Sequence, residues 1–160
     1  VWGRRYDKAT ELANTLNNEL SAAVTAVRNP EKYANMCDII SCATLASDPI
    51  LKGEWLNKSK KQHIDLVGGY TYNMREADND VISAVDLFVD TIDGALSEAG
   101  DLLQPIEQGI ISKGDIKGDL YDMVKTDFTL NNKTKTTLFK SVGTALEDLI
   151  AAKLAFEKIT

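Results

Sequence analysis

Four short stretches carry residue types and spacings suited to chemistry: V-W-G-R-R at 1–5, C-A-T-L at 42–45, V-G-G-Y at 67–70 and F-K-S-V at 139–142. Each contains or follows an apolar run that reads as a strand, and open α/β sheets bind ligands beyond the carboxyl ends of their strands. Arg4 and Arg5 stand between a strand-like run and a helix-like run, where a dinucleotide fold meets the adenosine ribose. An acid at such a place accepts hydrogen bonds from the ribose 2′-hydroxyl and favours NAD, whereas arginine accommodates a 2′-phosphate. The first acid is Asp7, so the arginines point to NADP(H), with NAD(H) as the alternative. Thr44 and Leu45 leave one strand, and Gly68 and Gly69 follow another. Glycine at a strand end permits close approach of a backbone or a ligand. Ser141 reads as the N-cap of the last helix, and the free N–H groups after it suit an anionic or carbonyl group.

Other chemistries have little to stand on. His63 is the only histidine, so zinc catalysis and a Ser-His-Asp triad with a second histidine lack their parts; no metal is expected. A G-x-G-x-x-G fingerprint belongs before the V-W-G strand and is not in the chain. The chain opens without Met, inside a strand-like run, and is expected to be a piece of a larger protein.

The elements that must position these residues follow from periodicity. Y-D-K-A-T-E-L-A-N-T-L-N-N-E-L reads as a helix with Ala9, Leu12, Ala13, Leu16 and Leu20 on one stripe. A-A-V-T-A-V reads as a short strand, and Pro30 opens a brief helix. C-D-I-I-S-C-A-T reads as a buried strand, H-I-D-L-V-G-G and L-F-V-D as two more, and T-T-L-F-K as a strand-like run. Two stretches carry helical spacing: residues 92–109, broken by Gly100, Pro105 and Gly109, and D-I-K-G-D-L-Y-D-M-V-K. The polar stretch 126–136 reads as a loop. S-V-G-T-A-L-E-D-L-I-A-A-K-L-A-F-E-K-I is the clearest helix, with Val142, Ala145, Leu146, Leu149, Ile150 and Leu154 along one face. Apolar strands alternating with helices predict an α/β fold built on an open, doubly wound, mostly parallel sheet.

At 160 residues, with 44% hydrophobic and 26% charged side chains, the chain can bury a core of ordinary size. A formal charge of −6 and an isoelectric point near 4.8 argue against a nucleic-acid partner. No apolar run reaches bilayer length, so no membrane partner is expected. Cys37 and Cys42, read as two buried core residues in one strand, point to opposite faces, too far apart for a disulfide. That fits a reducing, cytoplasmic setting.

The blocks V-W-G-R-R-Y-D-K-A-T-E-L-A, P-I-L-K-G-E-W-L, H-I-D-L-V-G-G-Y-T-Y-N-M-R-E-A-D and T-T-L-F-K-S-V-G-T-A-L-E-D resemble, in order and spacing, the ornithine cyclodeaminase/mu-crystallin family. The resemblance implies that residues 1–140 are most of a Rossmann-type NAD(P)-binding domain, without its first strand and glycine-rich turn. Residues 141–160 would be a helix that returns to an N-terminal substrate and dimerisation domain. It implies a homodimeric full-length protein that handles an amino acid or cyclic imino acid by hydride transfer. Gly3, Arg4 and Arg5 fall where the family holds the adenosine ribose or its phosphate. Thr44 and Leu45 fall where a strand end passes the cofactor, and Val67, with Gly68 and Gly69, falls near the nicotinamide. Ser141 falls on a cofactor contact and Val142 on a substrate contact.

Two positions depart from the family's cyclodeaminases. Tyr70 stands where they carry an acid/base aspartate, and Met74 where they carry a lysine near the cofactor. An aspartate titrates near about 3.9 and a tyrosine near about 10, so Tyr70 is a neutral donor and a poor base for releasing ammonia. The expected activity is therefore NAD(P)H-dependent reduction of 1-pyrroline-2-carboxylate or a related ketimine. Cyclodeamination of ornithine and non-catalytic NADPH and ligand binding are the alternatives.

Overall fold

The computed structural model describes residues 1–125 and 135–159. The chain forms two compact units, Val1–Met36 and Cys37–Thr160.

In the first unit, helix α1 (Tyr6–Glu19) buries Ala9 and Ala13, while Leu12 and Leu20 of the same stripe stay exposed. Helix α2 (Pro30–Met36) opens on its proline, as expected. Neither Val1–Gly3 nor A-A-V-T-A-V is a strand. Val1 donates its N–H to Thr25 C=O at 2.7 Å and accepts from Val27 N–H at 2.9 Å. The Asn17 side-chain amide pairs with both backbone groups of Val24 at 2.7 Å. A side chain thus supplies bonds that a neighbouring strand would supply, and no ladder forms.

Among the described residues, the second unit is built on five parallel strands: β1 (Ile39–Cys42), β2 (His63–Leu66), β3 (Asp86–Val89), β4 (Ile116–Asp119) and β5 (Thr137–Lys140). Their order is β1-β2-β5-β3-β4, so the last strand lies in the middle. The register aligns Ile40, Ile64, Leu138 and Leu87 in one row, and Cys42, Leu66, Lys140 and Val89 in the next. These rows form the core face, and Ile64, Leu66, Leu138 and Val89 are fully buried. The other face is polar in part: Ser41 Oγ donates to Asp65 Oδ2 at 3.0 Å, and His63 Nδ1 lies 2.8 Å from Thr137 Oγ1. All four residues of β3 are buried, as a strand covered on both faces requires. The buried strand expected at C-D-I-I-S-C-A-T is a correction: β1 lies at the sheet edge and buries only Cys42. Cys37 precedes the strand and is exposed, so it is not a core residue.

Helix α3 (Asn79–Ala84) is capped by Asp78, whose carboxylate accepts from Val81 N–H at 2.9 Å and from Gly53 N–H at 3.0 Å. Thr91 caps α4 (Ile92–Glu98), and α5 (Gly100–Glu107) follows directly. Pro105 does not break α5. The helix closes beyond it, where Gly109 N–H donates to Ile106 C=O and Ile110 N–H to Pro105 C=O. D-I-K-G-D-L-Y-D-M-V-K is not one helix: it divides into β4 and the short helix α6 (Leu120–Lys125). Pairing with β3 overrides the local helical spacing there. The last helix, α7 (Ala145–Ile159), starts three residues later than a Ser141 cap would place it. Thr144 and Glu147 form its capping box instead, by bonds of 3.3 and 3.0 Å. The loop expected over 126–136 lies mostly outside the described residues. Among the described residues, no helix is long and apolar enough to cross a membrane.

Candidate functional site

Bonding between strands continues one residue past the strands and draws their carboxyl ends together. Val67 N–H donates to Cys42 C=O at 2.9 Å, Ser141 N–H to Leu66 C=O at 3.0 Å, and Asp90 N–H to Lys140 C=O at 3.3 Å. Thr44, Leu45, Val67, Gly68 and Gly69, with Ser141 and Val142, thus belong to one edge of one sheet. Leu45 is 72% exposed and Val67 46% exposed, so that edge presents two apolar side chains to solvent.

Buried carboxylates hold this edge from below. Glu76 is fully buried. Its Oε1 accepts from Thr44 N–H at 2.6 Å and Thr44 Oγ at 2.8 Å, and its Oε2 from Gly68 N–H at 2.8 Å. The end of β1 is thereby tied to the turn after β2. A side chain at Gly68 would overlap the Thr44 backbone and Glu76 Oε1. The protein's own β1 end therefore makes the close approach that demands glycine at 68. Asp101, in the first turn of α5, accepts from Glu76 N–H at 2.8 Å and Ala77 N–H at 3.0 Å through Oδ1. Burial raises the Asp101 pKa, and those two bonds and Lys140 oppose the rise. Burial lowers the Lys140 pKa, against the pull of Asp101, Glu76 and Asp90.

On the other side of β5, Asp90 Oδ2 accepts from Ser141 Oγ at 3.1 Å, Val142 N–H at 2.8 Å and Gly143 N–H at 2.7 Å. The N–H groups after Ser141, read from sequence as open to an anion, are therefore occupied by an internal carboxylate. Ser141 keeps acceptor capacity on a hydroxyl whose proton is directed at Asp90.

Tyr70 is half exposed, and its hydroxyl has no hydrogen-bond partner among the described residues. Tyr72 donates to Glu107 Oε2 at 2.5 Å, which raises its pKa. Gln104 Nε2 donates to Tyr72 C=O at 2.7 Å and Arg75 N–H to Ala46 C=O at 2.8 Å, so the loop carrying Tyr70 is fastened along its length. An apolar cleft of about 360 Å³ lies beyond β3 and β4, between Leu120, Tyr121 and Val124 on one side and Leu146 on the other.

Gly3, Arg4 and Arg5 lie in the first unit, where they line an open cleft of about 290 Å³ with Trp2 and Lys8. Among the described residues neither Arg4 nor Arg5 has an acidic partner within 4 Å, whereas Lys8 pairs with Glu11 at 2.6 Å. Arg28 lies on the Tyr6 ring at 3.7 Å.

Glu76, Asp90, Asp101 and Lys140 are absent from the sequence-based set. The signal was there in part: L-F-V-D and T-L-F-K each end an apolar strand on a charge, which a core tolerates only with a partner.

A parallel sheet that gathers strand ends into an apolar edge over a bonded floor is the construction of a nucleotide-binding α/β protein. The comparisons agree and narrow the class. The ornithine cyclodeaminase/mu-crystallin family matches residues 1–160, and the chain belongs to that family. It is 38% identical to the delta(1)-pyrroline-2-carboxylate reductase of Colwellia psychrerythraea, over 99% of this chain and 50% of that protein. It is 32% identical to the ketimine reductase mu-crystallin of Mus musculus, over 98% of this chain and 46% of that protein. The structure of Thermococcus litoralis delta(1)-pyrroline-2-carboxylate reductase in complex with NADH and L-proline superposes with a TM-score of 0.92 at 34% identity. That match covers 99% of this chain and 49% of the other. The chain spans about half the length of the curated relatives it matches.

Proposed function

We propose that the protein carrying this chain is an NAD(P)H-dependent imine reductase acting on 1-pyrroline-2-carboxylate or a related cyclic imino acid. In this reading the chain supplies most of the cofactor domain. The observation that carries it is the joined, apolar edge formed by Leu45, Val67 and Ser141, in a chain similar along its whole length to pyrroline-2-carboxylate and ketimine reductases. Leu45 and Val67 offer apolar contact to a flat ring, and Arg4 and Arg5, without acidic partners, offer charge to a phosphate. The nicotinamide cofactor, when bound, supplies the hydride that reduces the C=N carbon. The chain's part is to orient and to exclude: Thr44 and Gly68 are fixed by Glu76, and Ser141 and Val142 by Asp90. Val142 is assigned to substrate contact and Gly69 to the cofactor side. Tyr70 is assigned to orienting the imine or its carboxylate as a neutral donor.

The test gives the full-length protein 1-pyrroline-2-carboxylate with NADPH or NADH, and separately ornithine with NAD. Proline formed with oxidation of the reduced cofactor is the expected result. Ammonia released from ornithine at a comparable rate overturns the reading. NADPH binding without turnover of any cyclic imine would assign the protein to ligand binding.

A further inference from the structure

Lys140 occupies a core row whose neighbours are Leu66 and Val89, and it is fully buried. An apolar side chain of similar length would fill that row without the cost of burying an ammonium group. The contacts of Lys140 show what the charge does. Its Nζ donates to Leu66 C=O at 3.0 Å and lies 4.0 Å from Asp101 Oδ2. Leu66 C=O also accepts from Ser141 N–H, so one carbonyl joins the end of β2 to two points on the end of β5. Asp101 in turn fixes the backbone of Glu76, and Glu76 fixes Thr44 and Gly68. The second oxygen of Asp101 has no hydrogen-bond partner among the described residues and lies 2.6 Å from where a Cβ of Gly69 would stand. It fills the space behind the turn that leads to Tyr70. Val67, exposed at the edge, sits between Leu66 and Gly68, and both are bound into this network.

We infer that Lys140 and Asp101 are positioning residues, which act together through Leu66 and Glu76 to set where Val67 and the 68–77 loop meet the nicotinamide ring. The inference rests on the proposed cofactor-dependent reaction. Neither residue touches cofactor or substrate, since both are fully buried.

The test uses the full-length protein with Lys140→Met, Asp101→Asn and the double variant. Asp101→Asn retains an acceptor for Glu76 and Ala77 and is the variant expected to stay folded. Thermal unfolding, NADPH affinity, the emission of bound NADPH and steady-state constants are measured on each. The dissociation constant for NADPH is expected to stay within about threefold, while kcat falls roughly 10- to 100-fold through misalignment. The emission maximum of bound NADPH is expected to move. The double variant is expected to be no slower than the slower single variant, because the two residues act as a unit. Folded variants with wild-type kcat and wild-type emission, at whatever melting temperature, overturn the inference. So do losses that multiply in the double variant. Should Lys140→Met not fold, Asp101→Asn decides alone; failure of both to fold assigns the pair to stability and overturns the inference. If the wild type reduces no imine, the reaction reading fails separately, and NADPH emission still decides the positioning role.

Discussion

At the scale of single residues, burial separates groups that look alike in sequence. Cys37 is exposed, while Cys42 is buried and its thiol is pushed up to about 12 by burial and by Glu76 and Asp101. In the native protein one thiol is expected to react with a disulfide reagent within minutes, and the second only after denaturation; two fast thiols would contradict the packing. The folded protein holds the Cys42 proton more tightly than the unfolded chain, so stability is expected to fall as pH rises from 9 toward 12. Chemical denaturation at pH 8 and pH 10.5, with Cys42→Ala as control, measures that slope. Gly68→Ala is expected to cost at least ~2 kcal/mol, because the clash is with the Thr44 backbone, which cannot rotate away. Arg4→Asp is expected to lower the NADPH-to-NADH preference by about tenfold or more, as the loss of a charge-assisted phosphate contact would; an unchanged ratio removes the 2′-phosphate role. The edge residues were legible because strand ends can be read from apolar runs followed by glycine or a small polar residue. Glu76 and Asp101 were not, because what makes them matter is a fold that carries two acids 25 residues apart into one buried contact.

At the scale of elements, the helices other than α3 and four of the five strands among the described residues were readable from periodicity and apolar runs, and two of the misreadings share one cause. In I-K-G-D-L-Y-D the local spacing suits a helix, and pairing with β3 makes the first four residues β4. Ser141 has the right chemistry for a cap, but Asp90 claims it, and Thr144 with Glu147 takes the cap instead. Tertiary partners decide both cases, and local propensity carries no record of them. The Asp90 hub binds the β5–α7 connection through three donors, and its other oxygen accepts from the adjacent Thr91 N–H at 2.7 Å. Asp90→Ala is expected to destabilise the protein by ~2–4 kcal/mol, since several partly buried donors lose a charged acceptor. Urea midpoints measure this, and a change within experimental error would show that the connection is held elsewhere.

At the scale of the molecule, α7 exposes Leu146, Leu149, Ile150 and Leu154, each between 49% and 62%, along one stripe. An apolar helix face open to water promotes association. Residues 1–160 expressed alone are therefore expected to self-associate with rising concentration, and the Leu149→Glu, Leu154→Glu double variant to be monomeric by light scattering. The same 160 residues alone are expected to show no imine reduction, because the chain spans about half of its curated relatives. Measurable turnover would show that the chemistry needs nothing further.

The position of β5 has a consequence for synthesis. Residues 37–119 hold β1 beside β2, and β3 beside β4, but β2 and β3 do not pair with each other. During synthesis the inner edges of β2 and β3 each lack their partner strand until Thr137–Lys140 has been made, since that one strand pairs with both. The bond from Lys140 to Leu66 spans 74 residues, so the contact proposed to position the carboxyl edge of the sheet is also among the last the nascent chain can form. Slow translation over the stretch before β5 would prolong the interval in which those edges can pair with another chain.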